Sequence, residues 1–211
     1  MTRVPLLVVV FWTLAAPGAA RAQSIPLTAK VRSTGQIIAN GKIVATHVKE
    51  SLFYRTSDGS ELRRPLTDDG KPSTGKRARA SLFDKVHGIN YVIDYETGEA
   101  FELVTPGNPN PPSSEGAAAP NKTGESSVEG HPCTWIPVNL VRPSGTTRVG
   151  SNCVSKEYDL VLKTDITIPS ANQPGKSAHQ VTQLYDIRMG VEPDPKLFDL
   201  SFFKITPALK R

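Results

Sequence analysis

The sequence predicts a mainly β protein built on one antiparallel sheet with little helix. Apolar and polar residues alternate with period two along several stretches, which is the pattern of half-buried strands. Turn pairs such as Asn40-Gly41 and Asp58-Gly59 separate these stretches at hairpin spacing. The 18 prolines and 16 glycines among 211 residues also fit short strands and turns better than long helices.

Residues 1–22 read as a cleavable export signal. Arg3 supplies the positive start, and the apolar run from Leu6 to Ala16 is too short to span a bilayer. Ala20-Arg21-Ala22 has the small-x-small form of a cleavage site, so the mature chain is expected to begin at Gln23. No later stretch approaches the roughly 18 apolar residues of a membrane-spanning helix. We therefore expect a periplasmic or secreted protein with no integral membrane segment after cleavage.

The N-terminal half of the β domain is expected to occupy residues 23–104. Its clearest strand places Ile89, Tyr91, Ile93 and Tyr95 on one face. With the glycine-containing turns as boundaries, the pattern predicts six strands as a meander. They fall at about 30–38, 42–55, 60–66, 79–84, 89–95 and 99–104.

Residues 105–130 are predicted to form a disordered linker rich in proline, glycine and serine. The segment contains five prolines and almost no large apolar residue, so it cannot bury enough surface to order itself. Neither flanking half looks large enough for a core of its own. Residues 131–211 are therefore expected to complete the same β domain.

Four stretches of the C-terminal half show strand patterns. One strand is expected at Ile136 to Val141, followed after a break at Ser144-Gly145 by another that begins near Thr147. The longest alternation, from Tyr158 to Ile168, assigns the even-numbered residues to one face. A last strand is expected to present one apolar face made by Val181, Gln183, Tyr185, Ile187 and Met189.

The two cysteines, Cys133 and Cys153, are predicted to form a disulfide. A lone pair in an exported chain is most simply a structural bridge, and the alternative of a redox or metal pair lacks a Cys-x-x-Cys spacing. A turn near Ser144 would set the two residues opposite each other across a hairpin. The expected distance between their Cα atoms is about 4.4 to 6.8 Å.

Charge and motifs exclude several classes of function. The 25 basic and 20 acidic residues give a formal net charge of +5, and loss of Arg3 and Arg21 with the signal leaves +3. These charges are scattered, so no nucleic-acid partner is expected. The four histidines share no metal-ligand spacing, and no nucleophile motif is present. We assign no catalytic, cofactor-binding or metal-binding residue.

Two short motifs resemble a family of secreted bacterial proteins of uncharacterised function. The tail from Ile187 to Ile205, IRMGVEPDPKLFDLSFFKI, is similar to that family's "GEPDPSLF" ending, and Tyr54–Gly59 and Ile89–Asp94 are similar to its hairpin and "YVLDP" strand. Tyr95 stands where the family usually has proline. The family is distantly similar to the outer-membrane lipoprotein-carrier fold (LolA/LolB-like).

This resemblance implies a strongly curved, half-barrel-like sheet whose concave face holds an acyl chain or a peptide. The expected function is then non-enzymatic binding of a lipid, an acyl chain or an envelope protein, with no cofactor. The apolar residues of the tail are expected to close one end of the half-barrel as part of the core.

Two alternatives stay open. One is a secreted hydrolase in which His47, His87 or His179 meets Asp94 or Asp186 across strands. The other is a purely structural envelope component, for which a flat, filled sheet would be the sign. The oligomeric state does not follow from the sequence.

Overall fold

A computed structural model describes residues 24–75, 78–103, 122–141, 147–170 and 173–208. The export signal, its cleavage site and residues 105–121 of the expected linker lie outside these ranges. The described part contains a single-turn 3-10 helix at Pro195–Phe198 and twelve strands. The strands are β1 (Leu27–Ala39), β2 (Lys42–Arg55), β3 (Glu61–Pro65), β4 (Arg79–Asp84), β5 (Ile89–Asp94), β6 (Glu99–Leu103), β7 (Gly124–Val128), β8 (His131–Val141), β9 (Thr147–Ser155), β10 (Leu160–Pro169), β11 (Lys176–Met189) and β12 (Lys204–Thr206).

All twelve strands belong to one open sheet, in the order β12-β6-β5-β4-β3-β2-β1-β11-β10-β9-β8-β7. Strands β1 to β6 form the expected meander, and β7 to β11 form a second one. The long antiparallel pairing of β1 with β11 joins them. The predicted mainly β, single-sheet fold is therefore confirmed. One pairing departs from the antiparallel pattern, because β12 runs parallel to β6.

The sheet is strongly curved. Asn90 in β5 and Thr164 in β10 line the same cavity, although six strand spacings separate these strands. A flat sheet would hold them about 29 Å apart at about 4.8 Å per spacing. Arg55 in β2 also donates a hydrogen bond from Nη1 to the carbonyl oxygen of Asp159 at the start of β10, at 3.4 Å. The half-barrel form expected from the resemblance is present.

The β1–β2 turn shows why the predicted hairpins form. Asn40 and Gly41 both have positive φ, at 51° and 75°. Two consecutive left-handed residues make a turn whose twist matches that of the flanking strands, and asparagine and glycine adopt this conformation most readily. The two strands pair from Ala39 opposite Lys42 to Leu27 opposite Arg55.

Two hydrophobic cores lie on opposite faces of the sheet. Phe53 belongs to the first core, whereas its neighbour Tyr54 packs against the second. Successive residues of a strand point to opposite faces, so the clusters are separated by the sheet itself. The first core consists of Leu27, Ala29, Val31, Phe53, Val128, Cys133, Cys153, Leu162 and Leu184. The second consists of Leu62, Ala80, Leu82, Tyr91, Ile93 and Ala100.

The C-terminal tail covers the second core. Leu197, Phe198, Leu200 and Phe203 pack against it, and the Phe203 ring meets the Tyr95 ring edge to face at 5.5 Å between centroids. Phe202, in contrast, is 79% exposed. The tail is thus core material, as expected, but it lies on the sheet face opposite Phe53 and leaves that side of the half-barrel open.

Several predicted details are wrong, each for a local reason. Residues 124–128 of the expected linker form edge strand β7, which pairs with β8 and buries Val128. Tyr158 lies in the turn before β10, where Asp159 has a φ of 47°. In β11 a bulge with Asp186 at a φ of 52° shifts the alternation. Leu184 is consequently buried on the predicted polar side of β11.

The disulfide between Cys133 and Cys153 is present, with its Cα atoms 5.3 Å apart as predicted. The register differs by two residues from the expected one, because Trp135 and not Cys133 stands opposite Cys153. The bridge therefore crosses β8 and β9 diagonally. The predicted turn at Ser144 lies outside the described residues.

No helix among the described residues is long and apolar enough to cross a membrane.

Candidate ligand-binding cavity

The candidate site is a cavity of ≈ 430 Å³ on the Phe53 face of the curved sheet. This volume falls within the range of about 300–1,000 Å³ that is typical of small-molecule sites. The apolar part of its lining comes from both meanders. Its side chains are those of Val31, Phe53, Phe83, Leu160, Val161 and Leu184.

Arg63 is the cationic group of this cavity. It stands opposite Phe53 in the β2–β3 register and therefore shares its face, while its neighbour Leu62 belongs to the second core. The guanidinium donates from Nε to Ser51 Oγ at 2.9 Å and from Nη2 to Ser33 Oγ at 3.0 Å. Both bonds fix the side chain along the cavity wall.

The charge of Arg63 is not balanced by a carboxylate. Within the described residues it forms no ion pair, and burial lowers its pKa below the ordinary value. A guanidinium in this setting stays charged, since its pKa begins far above neutrality. A half-buried cation with only hydroxyl partners favours an anionic ligand group.

Glu61 and Asp159 also line the cavity, and Arg55 stands opposite Glu61 in the β2–β3 register. Burial raises the pKa of the Glu61 carboxyl and the nearby Asp159 adds to this, while Arg55 and Lys85 oppose the rise. Arg55 is only 3% exposed, and its Nε and Nη2 donate to the Ile25 carbonyl oxygen at 3.1 and 3.0 Å. Arg55 therefore has a structural role, because it ties β2 to the segment at Ile25.

The cavity can therefore accept an amphipathic molecule. Its aliphatic and aromatic walls suit a hydrocarbon chain, and Arg63 has three further guanidinium N–H groups that do not donate to Ser33 or Ser51. A second depression of ≈ 470 Å³ lies where the β2 residues Val48, Lys49 and Glu50 meet the loop that contains Asp68. That depression has fewer apolar walls, so the Phe53 face is the stronger candidate.

His179, one of the histidines named for a hydrolase, does meet a carboxylate in a pocket, but the carboxylate is that of Asp165 and not of Asp94 or Asp186. His179 Nε2 lies 2.7 Å from Asp165 Oδ1, and Lys122 Nζ lies 2.6 Å from Asp165 Oδ2, around a small cavity of ≈ 170 Å³. Partial burial by itself raises the pKa of Asp165. The hydrogen bonds from Lys122 and His179 outweigh that effect, so the pKa lies below its ordinary value.

The arrangement around Asp165 differs from that of a serine hydrolase. Ser151 lines the same small cavity and stands opposite Asp165 in the β9–β10 register. Its hydroxyl donates to the Lys122 carbonyl oxygen at 3.1 Å, and the residue is 1% exposed. In a triad the histidine forms hydrogen bonds with both the carboxylate and the serine hydroxyl. Here His179 contacts the carboxylate of Asp165, but the Ser151 hydroxyl donates to Lys122 and not to the histidine.

The other histidines named for a hydrolase have different surroundings. His87 Nδ1 lies 2.6 Å from Asp84 Oδ2 within one turn, and His47 is exposed on β2. The predicted partners are engaged elsewhere. Asp94 pairs with Arg79 at 3.7 Å, and Asp186 pairs with Lys30 at 3.3 Å. None of the predicted histidine–aspartate combinations is formed.

Comparisons with known proteins find structural neighbours but no relatives by sequence. No family model and no curated protein matches the chain. A LolA superfamily protein from Nitrosomonas europaea is 13% identical, with a TM-score of 0.34 over 82% of this chain and 90% of its own. A chain in the MucA/MucB complex structure from Pseudomonas aeruginosa is 14% identical, with a TM-score of 0.33 over 82% of this chain and 55% of its own.

A domain from Vibrio parahaemolyticus, described as a putative outer membrane lipoprotein-sorting protein, is 9% identical. Its TM-score is 0.29 over 82% of this chain and 89% of its own. The superfamily that the sequence motifs resemble is thus among the structural neighbours. TM-scores of this size carry no ligand or partner to this chain.

Proposed function

We propose that this is an exported, non-enzymatic binding protein whose curved sheet holds an apolar ligand with an anionic group. The ligand is an acyl chain, a lipid or an acylated segment from the cell envelope. The observation that carries the proposal is the cavity on the Phe53 face, which combines apolar walls with Arg63, a cation held only by Ser33 and Ser51.

An exported location is consistent with two features. The first 22 residues have the form of a cleaved signal, and the Cys133–Cys153 disulfide is of the kind that persists in an oxidising compartment. The open cavity also favours a binding role over a purely structural one, for which a filled sheet was the expected sign.

Titration with cis-parinaric acid, a fluorescent fatty acid, tests the proposal on the purified exported chain. We expect saturable binding that palmitate displaces. The matched variants are Arg63→Gln and Arg64→Gln, because Arg64 adjoins Arg63 in β3 but points to the opposite face, where it lies over the Tyr95 ring at 4.3 Å. Arg63→Gln should weaken binding of the acid about tenfold, the size expected for a hydrogen bond to a charged group.

The methyl ester of the same probe separates the two parts of the proposal. It keeps the hydrocarbon chain and lacks the charge, so Arg63→Gln should leave its affinity unchanged. Thermal unfolding of each variant checks that the fold is retained. Absence of saturable binding of parinaric acid, its ester and acylated peptides alike would refute the proposed function.

A further inference from the structure

One end of the sheet has a surface unlike the rest of the molecule. It consists of residues 34–49, 147–150, 166–170 and 173–182, and we call it the hairpin end. The strand register brings these residues together, with Ile38 opposite both Ile43 and Ser177, and Ile168 opposite Ala178. The β1–β2 turn lies at the edge of this surface.

Large aliphatic side chains are exposed at the hairpin end. Ile43, Val44 and Val48 are 58%, 60% and 57% exposed, and Ile37 is 40% exposed. Val48 stands opposite Thr34 and Ile37 stands opposite Ala45, so the exposed residues occupy both faces of the β1–β2 hairpin. Neighbouring exposed aliphatic residues of this kind indicate a surface that meets a partner.

The charged residues that belong to the hairpin end are all basic, although Asp68 of the loop after β3 lines a depression beside Val48 and Lys49. The hairpin end contains Lys42, Lys49, Lys176 and Arg148, and none of the 20 acidic residues of the chain lies within it. The nearest carboxylates along the strands are already paired. Glu50 lies 2.8 Å from Arg32 Nη2, and Asp165 is bound by Lys122 and His179.

We infer that the hairpin end docks on the surface of a lipid bilayer that contains anionic lipids. Aliphatic side chains at a hairpin tip can enter the interface while the backbone of the paired strands stays hydrogen-bonded. Lysines flanking them reach the phosphate level through their flexible stems and are attracted by an anionic surface.

The composition favours a bilayer over a protein partner. The buried centres of protein interfaces are depleted in lysine. Here Lys42 directly precedes Ile43 and Val44 in β2, and Lys49 directly follows Val48. An anionic lipid surface accepts this alternation of charge and aliphatic surface, since its headgroups and acyl chains lie at adjacent depths. The inference does not depend on the cavity being a ligand site.

Co-sedimentation with vesicles tests the inference on the exported chain. Phosphatidylcholine vesicles are compared with mixed phosphatidylcholine–phosphatidylglycerol vesicles. We expect binding to the mixed vesicles that weakens as salt is raised, and little binding to phosphatidylcholine alone. The double variants Ile43→Ser/Val44→Ser and Lys42→Glu/Lys49→Glu should each lower the partition coefficient about tenfold or more.

The control carries Val86→Ser and Val191→Ser, which are 52% and 53% exposed and lie away from the hairpin end. It should bind the mixed vesicles like the unmodified chain. Failure of the unmodified chain to bind mixed vesicles would overturn the inference. So would equal losses in the control and in the hairpin-end variants, or self-association that Ile43→Ser/Val44→Ser abolishes without any binding to vesicles.

Discussion

Arg63 and Glu61 show how the same strand can supply structure and chemistry. Leu62, between them, is fully buried in the second core, while the two charged side chains reach the cavity on the other face. In Glu61-Leu62-Arg63 charged and apolar residues alternate, which is the pattern of any half-exposed strand. Only the curvature of the sheet converts the outward face of β3 into a cavity wall, which is why the sequence did not single out Arg63.

Glu61 should make stability depend on pH. Because burial raises its pKa in the folded state, its contribution to stability is fully present below the ordinary pKa of 4.5 and is lost as pH rises through the raised value. Glu61→Gln removes the charged form. The variant should therefore gain unfolding free energy over the unmodified chain at about pH 7 and lose that advantage at about pH 4.

Urea unfolding at the two pH values measures this difference. Glu125→Gln, on the exposed part of β7, serves as the control and should show no such pH-dependent gain. A gain for Glu61→Gln that is equal at both pH values would contradict a raised pKa for the buried carboxyl.

At the scale of elements, the alternation of residues located the strands but not their irregularities. The N-terminal meander agrees closely with expectation, since β2, β4 and β5 have the predicted bounds to within a residue. The bulges in β10 and β11 add one residue each to a regular pattern, and nothing in the local composition marks them. Strand β7 was missed because four of its five residues are exposed and polar, as suits an edge.

The Cys133–Cys153 bridge should stabilise the pairing of β8 with β9. It joins residues 20 apart in sequence, and closing a loop of this size restricts the unfolded chain. Replacement of both cysteines by serine should lower the unfolding free energy by about 3 kcal/mol. Addition of a reductant to the unmodified chain should give a similar loss and should leave the serine variant unchanged. Sensitivity of the serine variant to the reductant would contradict this account.

The C-terminal tail offers a matched test of core packing. Phe203 packs against the second core and meets Tyr95, whereas its neighbour Phe202 is 79% exposed. Phe203→Ala should cost about 2 to 3 kcal/mol of unfolding free energy, less than a fully buried phenylalanine would. Phe202→Ala should change it by no more than about 0.5 kcal/mol. Equal effects of the two substitutions in thermal or urea unfolding would show that the tail does not cover the core.

At the scale of the whole molecule, the two halves of the chain fold as one sheet because β1 pairs with β11 over nearly its entire length. The sequence indicated strands in both halves, but the pairing of distant strands depends on register and cannot be read from local patterns. The same holds for the cavity, whose walls come from β1 to β5, β10 and β11 together. The grouping of Lys42, Lys49 and Lys176 at the hairpin end likewise appears only once the strands are paired.

The cavity account is tested most directly by locating a bound acyl chain. A nitroxide-labelled fatty acid broadens the NMR signals of amides near its label, and spectra with and without the probe map that proximity onto the sheet. The account predicts strongest broadening around Val31, Phe53, Arg63 and Leu184, and much weaker broadening in the C-terminal tail and at the β1–β2 turn. Broadening confined to the tail or to the hairpin end, or none at saturating probe, would contradict it.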